Sequence, residues 1–358
     1  MSDAILLTGG TGFLGMELIA RWLQDDAGPD IFVAVRARDA AGAQTRVDEL
    51  LARLYDDPPP SAARLRPVCA ELTTEGLGLS ARDRADLIAN VGRVVHCAAS
   101  ISFTLPLDEA RSINVGGTSH VLDLAREIDD LQRVVHVSTA YVAGRARGRF
   151  READLDCGQR FRNTYEQTKC EAELLVASAG DLPLAVLRPS IVVGESDSGW
   201  TSAFNVVYWP LQAFARGLFA ELPADPSGIV DLVPVDHVTE LLDRLTFDRN
   251  AAGTYSAVSG DRAVTVAELV DLACQILDRP APRLSPPGTL PDGHPGAIFA
   301  PYFDVQAAFD DRRARALLGA AAPRARDYFG ALLEYGRRAR WGKRPFTRQA
   351  ARGLAVVA

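Results

Sequence analysis

Thr8-Gly9-Gly10-Thr11-Gly12-Phe13-Leu14-Gly15 decides the fold. It follows the short apolar run Ala4-Ile5-Leu6-Leu7 and opens an amphipathic stretch at 12–24, so it reads as a strand, a glycine turn and a helix. Gly9 permits the tight turn, Gly12 lets backbone N–H groups approach a pyrophosphate, and Gly15 lets the helix pack closely on the strand. A second apolar run at 31–35 completes a βαβ unit, the context in which such a turn binds a dinucleotide. That second strand ends in Arg36, with Arg38 close behind, and the first acid is Asp39. A carboxylate there would accept from a ribose 2′-hydroxyl, whereas a guanidinium matches a 2′-phosphate, so the pattern predicts NADPH.

Working outward, strand-like runs at 65–69, 94–97, 134–137 and 185–187 alternate with helical patterns at 44–55, 107–128 and 164–177. This alternation predicts a doubly wound α/β fold, a parallel Rossmann sheet with helices on both faces. After Pro189 the rhythm breaks. The stretch 199–222 is aromatic and apolar, 279–296 is rich in Pro and Gly, and strand runs at 229–233 and 254–258 flank a helix starting near Asp236. The expected organisation is a nucleotide-binding domain over 1–194, rejoined by 228–260. A smaller discontinuous substrate lobe follows over 195–227 and 261–345, then a tail over 346–358.

Composition bounds the function. The 358 residues carry 39 Lys plus Arg against 46 Asp plus Glu, a net charge of −7, which argues against nucleic acid as the main partner. Hydrophobic residues make up 47%, enough for a sizeable core, yet no apolar run of spanning length is uninterrupted by charge. Five cysteines with no CxxC pair, and no signal peptide, read as reduced thiols in the cytoplasm. The five histidines show no metal-ligand spacing, so no metal is expected.

Tyr165-Glu166-Gln167-Thr168-Lys169 places a phenol and an amine four residues apart on one helix face. The chain has only two lysines, Lys169 and Lys343, and uses arginine for nearly every other cation. An ammonium beside a phenol would lower the Tyr165 pKa toward the working pH. A hydroxyl partner is expected at the end of another strand, where Ser138 and Thr139 are adjacent; strand alternation lets only one of them face the cleft.

With these residues in view, the sequence resembles the extended short-chain dehydrogenase/reductases. Within them it is most similar to fatty acyl reductases and carrier-protein thioester reductases. The resemblance covers roughly 4–240. It rests on the glycine turn, Val95-His96-Cys97-Ala98-Ala99-Ser100-Ile101-Ser102-Phe103, Asn114-Val115-Gly116-Gly117-Thr118 and His136-Val137-Ser138-Thr139-Ala140-Tyr141-Val142. Tyr165 through Lys169, Leu187-Arg188-Pro189-Ser190-Ile191-Val192-Val193-Gly194, Gly199-Trp200 and Val230 through Asp236 complete it. It implies Thr139 as catalytic hydroxyl, Tyr165 as proton donor and Lys169 as holder of the nicotinamide ribose. Thr8, Gly9, Thr11, Gly12, Phe13, Leu14 and Gly15 would cradle the cofactor. Ala98, Ala99 and Pro189 would lie against it, Asn114 would support the site, and Arg36 and Arg46 would read the 2′-phosphate. Where the family often has Gly-Asp-Leu after the third strand to hold adenine, this chain has Ala70-Glu71-Leu72, leaving Glu71 and Leu72 for that place. The implied reaction is NADPH-dependent reduction of an acyl thioester, as acyl-CoA or on a phosphopantetheine carrier protein, to the aldehyde or onward to the alcohol. The implied protein is freestanding and soluble. The alternatives are a related reductase, dehydrogenase or epimerase acting on a ketone, a hydroxysteroid-like alcohol or a nucleotide sugar, and a non-catalytic NADP-binding module.

Weaker features have two readings each. The aromatic stretch from Ala203 to Phe219 is either a pocket wall or core between lobes. The basic run Arg337, Arg338, Arg340, Lys343, Arg344, Arg348 and Arg352 has no acidic partner in view and is either a solvated tail or a surface for an acidic partner. Asp236-His237 reads as a helix N-cap. His96 and Cys97 point to opposite faces of a strand, which disfavours a cysteine nucleophile.

Overall fold

Seven short runs, nearly all apolar, pair in parallel to form the central sheet of the computed structural model, which describes residues 3–204, 207–217, 221–286 and 300–355. The strands are β1 (Ala4–Thr8), β2 (Ile31–Val35), β3 (Leu65–Cys69), β4 (Val91–His96), β5 (Arg133–Val137), β6 (Leu184–Pro189) and β7 (Gly253–Ala257). Their order is β7-β6-β5-β4-β1-β2-β3. The chain therefore reverses direction between β1 and β4, the switch point at which open α/β sheets bind ligands. Side chains at alternate positions feed two cores. Ile5, Leu7, Ile31 and Val33 face one, and Leu6, Phe32, Val94 and Val134 face the other.

The helices are α1 (Phe13–Trp22), α2 (Ala40–Leu54), α3 (Ala81–Asn90), α4 (Leu107–Arg111), α5 (Gly117–Glu127), α6 (Thr164–Ser178), α7 (Tyr208–Ala215), α8 (Val235–Phe247), α9 (Val266–Leu277), α10 (Arg312–Leu318), α11 (Ala325–Arg338) and α12 (Arg348–Ala355). The helix expected over 107–128 is broken by a π-helical turn, Ser112–Gly116. The strand expected over 229–233 is split at Asp231. Its buried carboxylate accepts from Ser190 Oγ at 2.6 Å, Ser259 N at 2.8 Å and Gly260 N at 3.1 Å. Ile229–Val230 consequently pairs with Val264–Thr265, and Leu232–Pro234 pairs with Ile191–Val193.

Residues beyond the sheet form a third core around Val207, Tyr208, Leu211, Phe214, Val266, Tyr328 and Phe329. Half of the aromatic stretch is thus core, while Ala203, Phe204 and Trp209 line the cleft described below. Asn205, Val206, Leu218 and Phe219 lie outside the described residues.

Two expectations need correction. Asp236 does not cap α8, whose N-cap is Pro234; it sits in the first turn and accepts from Ser196 N at 2.9 Å and Ser196 Oγ at 2.6 Å. Nor is the basic run unpartnered. Arg337 and Arg338 pair with Glu334 on their own helix, and Arg348 reaches Glu17 at 2.8 Å and Glu195 at 2.6 Å. Arg352 also meets Glu195, at 2.9 Å. Sequence separation hid these partners, since Glu17 lies in α1 and Glu195 follows the strand Ile191–Val193. The stretch expected to be a solvated tail carries α12, with Arg348 and Ala351 buried.

Candidate active site

At the C-terminal ends of β1, β4, β5 and β6 lies a cleft of about 1240 Å³. It is lined by Thr8, Gly9, Thr11, Gly12, Phe13, Leu14, Gly15, Arg36, Arg46, Glu71, Leu72, Ala98, Ala99, Thr139, Tyr165, Lys169 and Pro189. Every candidate catalytic and cofactor-binding residue named from the sequence lines this one space, except Asn114.

The glycine turn is built for close approach. Gly9 has φ +74°, and a Cβ on it would lie 2.6 Å from Ala98 N, so β1 and β4 meet here without side chains. A Cβ on Gly15 would lie 2.3 Å from Gly9 O, so α1 packs directly onto the turn. Gly12 caps α1 without any side-chain hydrogen bond, and no acid occupies the first helical turn. The positive end of α1 therefore faces the cleft unopposed, which suits an anion. Across the cleft, Arg36 and Arg46 are exposed, and neither has a carboxylate partner among the described residues. Asp39, the first acid after β2, is committed as N-cap of α2, accepting from Gly42 N at 2.8 Å. Glu71 accepts from Thr73 Oγ1 at 3.1 Å and lines the same wall.

The reactive groups converge from two elements. Asn163 caps α6 by accepting from Glu166 N at 3.0 Å, which fixes the helix start and projects Tyr165 and then Lys169 from successive turns. Thr139 follows β5 in extended conformation; its Oγ1 donates to Pro189 O at 3.3 Å, and it lines the cleft together with Tyr165. Of the two adjacent hydroxyls, Ser138 is spent elsewhere, donating to Glu173 at 2.5 Å within a buried Glu173–Arg188 pair. Thr139 and Tyr165 therefore form the hydroxyl pair at the cleft.

The electrostatics differ from the sequence expectation. Burial pushes the Tyr165 phenol up to about 12, and neighbouring Glu166 adds to the rise, while Thr139 opposes it. Lys169 does not offset this, because its Nζ donates to Val137 O at 2.8 Å; burial pulls the amine down to about 8. Tyr165 is thus a protonated hydrogen-bond donor at neutral pH. Burial also pushes the Cys97 thiol up to about 12, so it holds no thiolate, and pulls His96 down to about 3, leaving a neutral ring. His96 Nδ1 meets Thr8 Oγ1 at 2.7 Å, and that oxygen accepts from Ala98 N at 3.2 Å, tying the two strand ends together.

Asn114 stands behind the cleft rather than in it. From the π-helical turn its Nδ2 donates to Ser100 O at 3.1 Å and Thr168 Oγ1 at 2.9 Å, and its Oδ1 accepts from Ser100 N at 2.8 Å. It fastens the loop after Ala99 to the helix of Lys169, so it supports the wall without touching the space; unwinding by one residue at a functional site is a recurring use of the π turn.

Residues 7–242 match the family described as male sterility protein, an NAD-binding family, which is about two thirds of the chain. The chain belongs to this family. It is 30% identical over 297 residues to fatty acyl-CoA reductase 1 of Homo sapiens, covering 73% of this chain and 56% of that protein. The protein of that name from Xenopus laevis is 31% identical over 271 residues, covering 65% and 52%. The chain thus spans about half the length of these curated relatives. Among solved structures, the terminal R domain from the myxalamid PKS-NRPS biosynthetic pathway superposes with TM-score 0.83 at 24% identity, over 96% of this chain and 93% of that one. MoeE5 in complex with UDP-glucose and NAD superposes with TM-score 0.67 at 23% identity, over 94% and 99%. These likenesses show a shared Rossmann-like α/β fold.

Sequence reasoning missed Tyr302, which lines the cleft from the short turn Ala300–Phe303 beside Phe103 and Tyr141. No motif surrounds it, and nothing in the local pattern places it near α6, far back in the sequence.

Proposed function

We propose that this protein is an NADPH-dependent reductase of acyl thioesters. The observation that carries the reading is the convergence, in one cleft, of a glycine cradle, two guanidiniums without a carboxylate partner among the described residues, and the Thr139 and Tyr165 hydroxyls with Lys169 behind them. The turn suits a dinucleotide because Gly9 and Gly15 let β1, β4 and α1 close tightly, bringing the N-terminus of α1, free of any side-chain cap, to the cleft. Arg36 and Arg46 would hold a 2′-phosphate, and Lys169, beside Tyr165 on α6, would hold the nicotinamide ribose. Reduced nicotinamide bound there supplies a hydride.

The chain's own part is electrostatic. Tyr165 and Thr139 donate to the oxygen of the substrate carbonyl, where negative charge develops as its carbon is reduced. Because Tyr165 holds its proton at neutral pH, it delivers one to that oxygen, which suits reduction better than oxidation. Collapse of the hydroxyl-bearing carbon expels the thiol and leaves an aldehyde, and a second round would yield an alcohol. The fatty acyl-CoA reductases among the relatives, and the apolar wall of Phe103, Phe204 and Trp209, support an acyl rather than a sugar substrate. The thioester would be carried by CoA or by a phosphopantetheine carrier protein. The described residues include no helix long and apolar enough to cross a membrane, and we take the working compartment to be the cytoplasm.

The test is loss of NADPH absorbance with acyl-CoA, acyl carrier protein, ketone and nucleotide-sugar panels. Thioester-dependent oxidation of NADPH with release of free thiol is the expected result. Turnover confined to ketones or sugars would replace the substrate class, and no turnover with any of them would favour a cofactor-binding module.

A further inference from the structure

The substrate end of the cleft is closed by rings that cross from one lobe to the other. Tyr302, in the short turn Ala300–Phe303, is buried, and its ring stacks on Phe103 with centroids 5.1 Å apart. Phe103 leans in turn on Tyr165, at 5.8 Å and 47°. Tyr141 meets Tyr302 edge-on at 5.0 Å. All four rings line the cleft.

The Tyr302 hydroxyl is held by the first turn of α6. Asn163 Nδ2 donates to it at 2.9 Å, and the buried Glu166 carboxylate lies close enough to act on it electrostatically. Glu166 is fully buried; it also accepts from Arg162 N at 2.9 Å, and its own backbone N–H is the group that caps onto Asn163. Tyr302 therefore reaches Tyr165 by two routes. One runs through the Phe103 ring, and the other through the residues two before and one after Tyr165 in the sequence. A buried hydroxyl is costly unless paired, and here its hydrogen bond comes from Asn163, the residue that caps the catalytic helix.

We infer that Tyr302 is a positioning residue that ties the second lobe to Tyr165 and holds the phenol where the substrate carbonyl oxygen must sit. The inference rests on the carbonyl-reductase reading of the cleft but not on which carbonyl compound is reduced. Small displacements of a catalytic group cost large factors in rate, so loss of the hydroxyl's bond to Asn163 in Tyr302→Phe should lower turnover about 10-fold, and loss of the ring as well in Tyr302→Leu about 100-fold.

The test measures turnover of the carbonyl compound that the wild type reduces best, normalised to NADPH-binding sites counted by fluorescence titration. Normalisation removes any misfolded fraction, which would lower the site count and not the turnover per site. The expected result is a graded fall, Leu below Phe below wild type, with NADPH affinity within twofold of wild type. Turnover per site within twofold of wild type in both variants would overturn the inference. If the best substrate proves to be a ketone, the thioester reading fails while this comparison stands unchanged.

Discussion

Replacing Arg348 by alanine tests whether the C-terminal helix is a structural part of the nucleotide-binding unit. The Arg348 side chain is 8% exposed and lies between Glu17 and Glu195, each 1% exposed, at 2.8 and 2.6 Å. Removing the guanidinium leaves two buried carboxylates facing each other, with only the half-exposed Arg352 still on Glu195. Breaking a buried pair from one side costs about 3–5 kcal/mol, and Arg352 keeps the loss near the lower end. For a chain of this length that corresponds to a fall of about 4–6 °C in thermal midpoint. The deficit should also depend on pH. Burial and Glu195 already push Glu17 up to about 7 from its ordinary 4.5, even against Arg348. The folded state therefore holds a proton that the unfolded state releases. The stability this confers is full below the unfolded value and lost as pH rises through the folded one. Without Arg348 the folded value rises further, so the loss continues above pH 7. Thermal unfolding of Arg348→Ala should show a larger deficit at pH 8.5 than at pH 6. A midpoint within 1 °C of wild type at both pH values, or a larger deficit at pH 6, would mean that Arg348 does not hold the two buried carboxylates together.

Three further outcomes are expected. Arg36→Ala with Arg46→Ala should weaken NADPH about 5- to 30-fold while leaving NADH unchanged, taking each exposed guanidinium–phosphate contact as worth about 1 kcal/mol; fluorescence titration with both cofactors checks this. Gly9→Ala combines φ +74° with a Cβ 2.6 Å from Ala98 N, so it should abolish cofactor binding and cost about 1–3 kcal/mol in denaturant unfolding. Glu173→Gln strips the counter-charge from the buried Arg188 and should destabilise by about 3–5 kcal/mol, read as a lower urea midpoint.

The nucleotide-binding half was legible because its signals are local. The strand runs at 31–35 and 65–69 coincide with β2 and β3, and the glycine turn, strand ends and α6 fall where period and spacing put them. Thr139, Tyr165 and Lys169 meet because they sit at the ends of elements whose packing the βαβ rule fixes. What the sequence concealed depends on long-range pairing or on burial. Strand periodicity at 229–233 carried no sign that Asp231 turns inward to take three hydrogen bonds. Counting charge along 337–352 could not show that Glu17 and Glu195 await Arg348 from the far end of the chain. The i, i+4 spacing placed Lys169 beside Tyr165, yet the amine turns to the Val137 carbonyl and burial decides the phenol. Tyr302 reaches the site through tertiary packing alone.

In the proposed reaction a thioester carbonyl held by Thr139 and Tyr165 receives hydride, and the resulting intermediate then loses its thiol. Mass spectrometry of the product formed from an acyl thioester and NADPH deuterated at the transferable position tests it most directly, run on wild type, Thr139→Ala and Tyr165→Phe. The wild type should give one deuterium on the former carbonyl carbon and one equivalent of free thiol per aldehyde. In both variants the rate should fall by about 10²–10³ with NADPH binding intact. Product without the label, or Tyr165→Phe turning over at the wild-type rate, would contradict it.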